Sequence, residues 1–192
     1  METLETERLV LRPLAMDDLE ALHAILDLDL KWSGEPLPLE QRKELLQDYL
    51  KYAELNAPFG RRAIVLREND RLIGMLIFRT GWVDPSIRSL FSESPRELDD
   101  PYQTLEVFVG YALCRAYWRK GYATEAVKAL IHYAFTELKV RFVYVETDYE
   151  NIRSMALMRR IGMRPERNHA SDWQVVGRLE NNLLAEHRAE SS

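Results

Sequence analysis

LEVFVGYALCRAYWRKGYATEAVKALIHYAFTELKVRFVYV, residues 105–145, is the stretch that decides the fold. Its opening, Leu105 to Leu113, is apolar-rich and strand-like. From Thr124 to Leu138 the residues Val127, Leu130, Ile131, Ala134, Phe135 and Leu138 recur at i, i+3, i+4, i+7, i+8 and i+11, the apolar stripe of a helix. Val140 to Val145 is then almost continuously apolar, as in a strand buried on both faces of a parallel sheet. Strand, helix and strand in this order predict a βαβ unit with a right-handed crossover.

Upstream, Leu9 to Leu14 reads as a strand with Pro13 at its end. Asp17 and Glu20 have the spacing of a capping box opening a helix whose apolar face is Leu19, Leu22, Ile25 and Leu26. Gly34, Pro36 and Pro38 mark a loop, and a second helix is expected from Leu39 to Ala53. Arg62–Arg67 and Leu72–Arg79 are strands joined across Glu68–Arg71 in a hairpin. Periodicity is lost between Thr80 and Gln103, where Pro85, Pro95 and Pro101 fall. A segment of that length suits a lid or a homodimer interface, or a plain insertion. Downstream come a helix from Asn151 to Arg160, closed by Gly162, and a strand through Trp173, Val175, Gly177 and Leu179. The fold class is mixed α/β: one domain over residues 1–185 with an insertion at about 80–103, then a polar tail, 186–192.

The charge balance narrows the function. Lys and Arg total 26 against 31 Asp and Glu, a net charge of −5, which argues against a general nucleic-acid binder. No apolar run reaches the roughly 18 residues of a membrane span, and the acidic first residues are unlike a secretory signal, so a cytoplasmic protein with no membrane partner is expected. Cys114 is the single cysteine, and His23, His132, His169 and His187 are scattered, so no metal is expected.

Chemistry enters at Tyr117–Thr124, YWRKGYAT, between strand and helix. A tight turn entering a helix exposes backbone N–H groups that no intrahelical carbonyl satisfies, and the helix dipole adds positive potential there. Gly121 lets the backbone approach a ligand, Ala123 keeps the next positions small, and Arg119 and Lys120 add charge, so the turn suits a phosphate or pyrophosphate. It lacks GxGxxG and GxxxxGK[ST], which removes the main support for a dinucleotide or ATP. Alone, such a turn is also the ordinary entrance to a helix.

Its surroundings supply the context. ETERLVLRPL (5–14), VGYAL (109–113), YWRKGYATEA (117–126), NIRS (151–154) and RIGM (160–163) follow in the order and spacing of the RimJ/RimL-like branch of the GNAT acetyltransferases, which the chain resembles from about residue 5 to 180. The resemblance implies a twisted mixed β-sheet flanked by helices and split between two parallel strands, with acetyl-CoA in the opening. It places Tyr111, Ala112 and Leu113 beside the pantetheine and the backbone of Arg119, Lys120, Gly121, Tyr122, Ala123 and Thr124 around the pyrophosphate. Trp118 stands where many other members carry Gln or Arg.

The implied reaction is direct attack of a neutral amine on the thioester. Roughly a third of a protein α-amine (pKa about 7.7–8.0) is neutral near pH 7.5, against about a thousandth of a lysine amine (about 10.4), so only the latter depends strongly on a base. The branch usually carries Glu two residues before the glycine of VGYAL; here that residue is Phe108, and the carboxylate candidate is Glu106, on the same strand face and about 7 Å along. Ser154 matches the serine that lies near the CoA sulfur in the family and donates to the thiolate; a helix serine bonded to backbone is its structural alternative. Asn151 is read as a helix cap and cofactor contact. Tyr111 and Tyr149 are spare phenols, and Cys114 lacks a paired histidine and is read as a buried small residue. Trp32, Trp82 and Phe91 are candidates for the acceptor side, and Arg153, Arg159 and Arg160 for the 3′-phosphate. The sequence therefore points to an acetyl-CoA-dependent N-acetyltransferase acting on a peptide N-terminus or a small-molecule amine, the alternative being a non-catalytic acyl-CoA sensor.

Overall fold

The computed structural model describes residues 2–81, 83–91 and 106–182 and gives a mixed α/β fold with eight strands. Its residues divide into two compact units, Met1–Arg79 with Gly110–Leu130, and Thr80–Val109 with Ile131–Ser192.

The first unit begins as an antiparallel meander of β1 (Leu4–Glu5), β2 (Leu9–Pro13), β3 (Gly60–Leu66) and β4 (Leu72–Thr80). The expected hairpin closes by Leu66 N–H donating to Arg71 O at 2.9 Å, with Asp70 at φ 54° taking the left-handed turn position. Gly74 on β4 is required by close approach: a Cβ there would lie 2.3 Å from the backbone oxygen of Ala112, on β5 (Glu106–Leu113). Helix α2 (Leu39–Leu55) lays Leu46 against Leu22, Leu26, Ala63 and Met75 in the core.

The first helical segment departs from expectation. A 3₁₀ turn, Met16–Asp18, starts from Ala15 and leads into α1 (Leu19–His23) and a π turn, Ala24–Asp29. Asp18, not Asp17, does the capping: its carboxylate accepts from Ala15 N–H at 2.8 Å and pairs with both Nη groups of Arg12 at 2.8 and 2.7 Å. A bidentate arginine on β2 fixes that carboxylate in a way Asp17 is not offered. The π turn carries Asp27, fully buried, which accepts from Nε and Nη2 of the buried Arg42 at 2.8 and 2.7 Å.

In the second unit the first half of β5 runs parallel to β6 (Phe142–Asp148) through Glu106↔Phe142, Val107↔Val143 and Phe108↔Tyr144. β6 pairs antiparallel with β8 (Gln174–Glu180), and β8 with β7 (Arg164–Arg167). The short β7 was not expected from the sequence; with Pro165 among charged residues it has the composition of an edge strand. Val83, Ile87, Phe108, Phe142, Tyr144 and Val176 form the core here, Ile87 coming from α3 (Pro85–Ser89). The helix read as Thr124–Leu138 is α4 (Tyr122–Thr136), and α5 (Ile152–Arg160) follows β6, with Gly162 at φ 92° after it. Of the aperiodic 80–103 segment, residues 92–103 lie outside the described residues, as does the tail.

Candidate active site

In the first unit the predicted phosphate turn is an exposed bend that opens directly onto a helix. Arg119 (φ 63°) and Gly121 (φ 87°) both take left-handed conformations, and α4 starts at the next residue, Tyr122, so the donors of its first turn meet an exposed loop. Trp118 ties the turn to the strand before it, its indole Nε1 donating to Leu113 O at 2.6 Å. That is a structural reason for an indole here.

The turn is also held from the N-terminal segment, by residues whose part the sequence did not disclose. Glu125, in the first turn of α4, accepts from Thr6 Oγ1 at 2.6 Å, from Arg8 N–H at 2.9 Å and from Arg8 Nε at 2.7 Å. Arg8 Nη1 donates to Lys120 O at 2.9 Å, and its guanidinium lies over the Tyr122 ring. Burial alone would raise the Glu125 carboxyl, but the Thr6 and Arg8 hydrogen bonds hold it below its usual range, as an anion. ETERLVLRPL is thus a clamp on the turn, formed over 117 residues of sequence. The signal available was the glutamate directly after Thr124.

Tyr111, Ala112 and Leu113 occupy the second half of β5, with Ala112 and Leu113 buried. Cys114 follows, and burial pushes its thiol up from the ordinary range, the opposite of an activated nucleophile.

In the second unit Asn151 caps α5 as predicted, its Oδ1 accepting from Ser154 N–H at 3.1 Å. Ser154 is buried, at 4% exposure, yet its hydroxyl makes no hydrogen bond to the described residues. The alternative reading of a serine bonded back to its helix is therefore not what the structure shows. Glu106 is buried and engaged: Oε2 accepts from Val83 N–H and from Arg88 Nη2, each at 3.2 Å, and the Tyr144 hydroxyl lies 3.4 Å from Oε1. Burial, with the Glu106 charge beside it, pushes the Tyr144 phenol far above its normal value, so it stays protonated. Arg88 and Tyr144 are the neighbours that sequence reasoning missed, since nothing local links them to Glu106.

The remaining candidates separate. The Tyr149 hydroxyl is committed, donating to the carbonyls of Ser171 at 2.6 Å and Asn168 at 3.2 Å. Phe91 packs against the core around Tyr144, Trp32 is half exposed, and Trp82 lies outside the described residues. Among the described residues no group of His, Cys, Asp and Glu could hold a metal ion, and no helix is long and apolar enough to cross a membrane.

Comparison with known proteins gives this geometry its relatives. The family model described as an acetyltransferase (GNAT) domain matches residues 8–164. The N-acetyltransferase p20 of Bacillus licheniformis is 27% identical over 176 residues, covering 86% of this chain and 84% of its own. Among solved structures, the acetyltransferase of Agrobacterium tumefaciens superposes with a TM-score of 0.70 at 26% identity, covering 94% of this chain and 95% of that one. The ribosomal L7/L12 alpha-N-protein acetyltransferase RimL, in complex with coenzyme A, superposes at 0.66 over 93% of this chain and 98% of its own; at 17% identity that likeness is one of fold.

Proposed function

The chain belongs to the GNAT acetyltransferase family, and from that premise we propose that it transfers acetyl from acetyl-CoA to a primary amine, of a peptide N-terminus or a small molecule, by direct attack. The observation that carries this reading is the exposed left-handed turn at Arg119–Gly121, opening directly onto α4 and clamped by Arg8 and Glu125. Its backbone fits a pyrophosphate: successive N–H donors, a residue without Cβ at the closest point, and two flanking cations. Tyr111, Ala112 and Leu113 are assigned to the pantetheine arm, and Asn151, which caps α5, is assigned a contact with the cofactor. Acetyl-CoA supplies the activated acyl group; the chain supplies position, which is most of the rate.

Ser154 is assigned the hydrogen bond to the departing thiolate, which takes its proton from solvent after it leaves. Its hydroxyl has no hydrogen-bond partner among the described residues and so is available to a ligand, and this assignment gives it one. Ser154→Ala should lower kcat by about tenfold to a hundredfold, the loss of a hydrogen bond to a charged group, while acetyl-CoA affinity changes little. An unchanged kcat removes Ser154 from the mechanism.

Glu106 is assigned the proton leaving the amine, through Oε1 and the Tyr144 side, since Oε2 is taken by Val83 N–H and Arg88. Glu106→Gln keeps the shape and removes the base. The loss in kcat should be at least about tenfold larger for lysine-type amines than for α-amines, because a far smaller fraction of the former is neutral at rest. Equal losses on both would make Glu106 a structural anchor for Arg88.

Thiol release from acetyl-CoA across a panel of N-terminal peptides and small amines, with calorimetric acetyl-CoA binding on the same sample, tests the whole reading. Turnover on one acceptor class supports it and identifies the class. Binding without turnover favours an acyl-CoA sensor, and no binding defeats both.

A further inference from the structure

The acceptor's chemistry is written on the α2 face of the first unit. Arg61, on β3, is partly exposed, and its guanidinium lies 3.4 Å from the centroid of the Tyr49 ring on α2. It has no hydrogen-bond or ion-pair partner among the described residues, and its Nε is buried without an acceptor. The neighbouring Arg42 differs: Asp27 satisfies it bidentately. Stacking by Tyr49 occupies a face of the Arg61 guanidinium and leaves hydrogen bonding to its edge, the geometry that receives a carboxylate.

Its place in the sheet ties it to the reaction. Arg61 pairs with Ile77 on β4, and a Cβ built on Gly110 would meet Ile77 Cβ at 3.4 Å, so Arg61, Ile77 and Gly110 form one row across three strands on one face. Two strand spacings put Arg61 Cα about 10 Å from the Gly110 backbone. Tyr111–Leu113, assigned above to the pantetheine arm, begin at the next residue. Burial is the main cause that lowers the Arg61 pKa, against the Tyr49 and Tyr52 phenols, which raise it.

We propose that Arg61 is a specificity-determining residue that binds a carboxylate carried by the acceptor amine, several bonds from the nitrogen, as in a short acidic peptide or an ω-amino acid. The proposal rests on the acetyltransferase reading and adds the substrate class to it.

The test uses matched acceptors: 4-aminobutyrate against 4-aminobutyramide, and Ser-Glu against Ser-Gln peptide amides. In the wild type, kcat/KM for the acid should exceed that for the amide by at least about tenfold in one pair, as a charge-assisted hydrogen bond provides. The pair that discriminates identifies the source of the carboxylate. In Arg61→Gln the ratio should fall to about one with the KM for acetyl-CoA unchanged, and Arg61→Lys, which keeps the charge without the planar fork, should fall between. A wild-type ratio near one, or a ratio that Arg61→Gln leaves intact, overturns the proposal and would make Arg61 a packing partner of Tyr49. Neutral amines acetylated without any acid preference would leave the acetyltransferase reading standing and remove this one. If neither member of a pair is acetylated, calorimetry of acid and amide against the CoA-saturated protein decides: tighter binding of the acid that Arg61→Gln abolishes supports the carboxylate site, and equal or absent binding defeats it.

Discussion

Gly121→Val should weaken acetyl-CoA binding by about a hundredfold or more while leaving the fold intact. At φ 87° Gly121 sits where a β-branched residue is an outlier, and a Cβ would lie 3.1 Å from Arg8 Nη2. To escape, the backbone must rotate toward negative φ, which redirects the N–H groups at the head of α4, or Arg8 must leave Lys120 and Glu125. Either movement disperses the donors that the proposed pyrophosphate site requires. Losing two charge-assisted hydrogen bonds at about 1.5–3 kcal/mol each amounts to about 3 kcal/mol or more, hence the hundredfold figure. The turn is exposed and outside the core, so the melting temperature should shift by only a few degrees. Calorimetry with acetyl-CoA beside a thermal melt reads both quantities. An affinity within threefold of wild type, in a protein that melts normally, would show that the pyrophosphate does not lie on this turn.

That turn was legible because its information is local. A strand, a basic Gly turn and a helix of period 3.6 lie consecutively in the chain, and each signal is confined to about ten residues. α4 is found within two residues of its predicted ends, and β6 within three, for that reason. What the sequence could not disclose is long-range. Arg8 meets Glu125 across 117 residues, and the bond that fixes Glu106 comes from Arg88 on a five-residue helix inside a segment without periodicity. The choice of Asp18 over Asp17 depended on Arg12 in the adjacent strand, and no propensity scale contains that arginine. β1 and β7 are two and four residues long, too short for alternation to register, and exist because a longer neighbour offers an unpaired edge. Glu106 could be nominated from its type and spacing, but Tyr144 and Arg88, which define its environment, came only with the packing.

The same distinction sets the expected result for Asp27. Asp27→Ala should cost about 3–5 kcal/mol of stability near neutral pH, because it strands a guanidinium that is 2% exposed. Arg42 reaches Asp27 through two bonds, His23 Nδ1 lies 3.0 Å from Oδ2, and Leu37 N–H donates to Oδ1 at 3.4 Å, so one carboxylate joins the π turn, α2 and the loop before it. Burial alone would raise the Asp27 carboxyl; the Arg42 and His23 hydrogen bonds outweigh it and hold the pKa below the usual aspartate value. A lowered folded-state pKa means the unfolded chain takes up the proton first as pH falls. The stabilisation is therefore complete above the ordinary aspartate pKa of about 3.9 and drains away as pH drops through the lowered folded value. Urea unfolding of wild type and Asp27→Ala should show the full gap at pH 7 and a shrinking one below about pH 4. Removing both charges separates the pair's geometry from its polarity: Asp27→Leu with Arg42→Met should recover much of the loss, since no buried charge is left unpaired and only the Leu37 N–H and the His23 ring lose their acceptor. If Asp27→Ala instead unfolds within about 1 kcal/mol of wild type, Arg42 has found water or another acceptor, and the link between π turn and α2 is held by their apolar contacts alone.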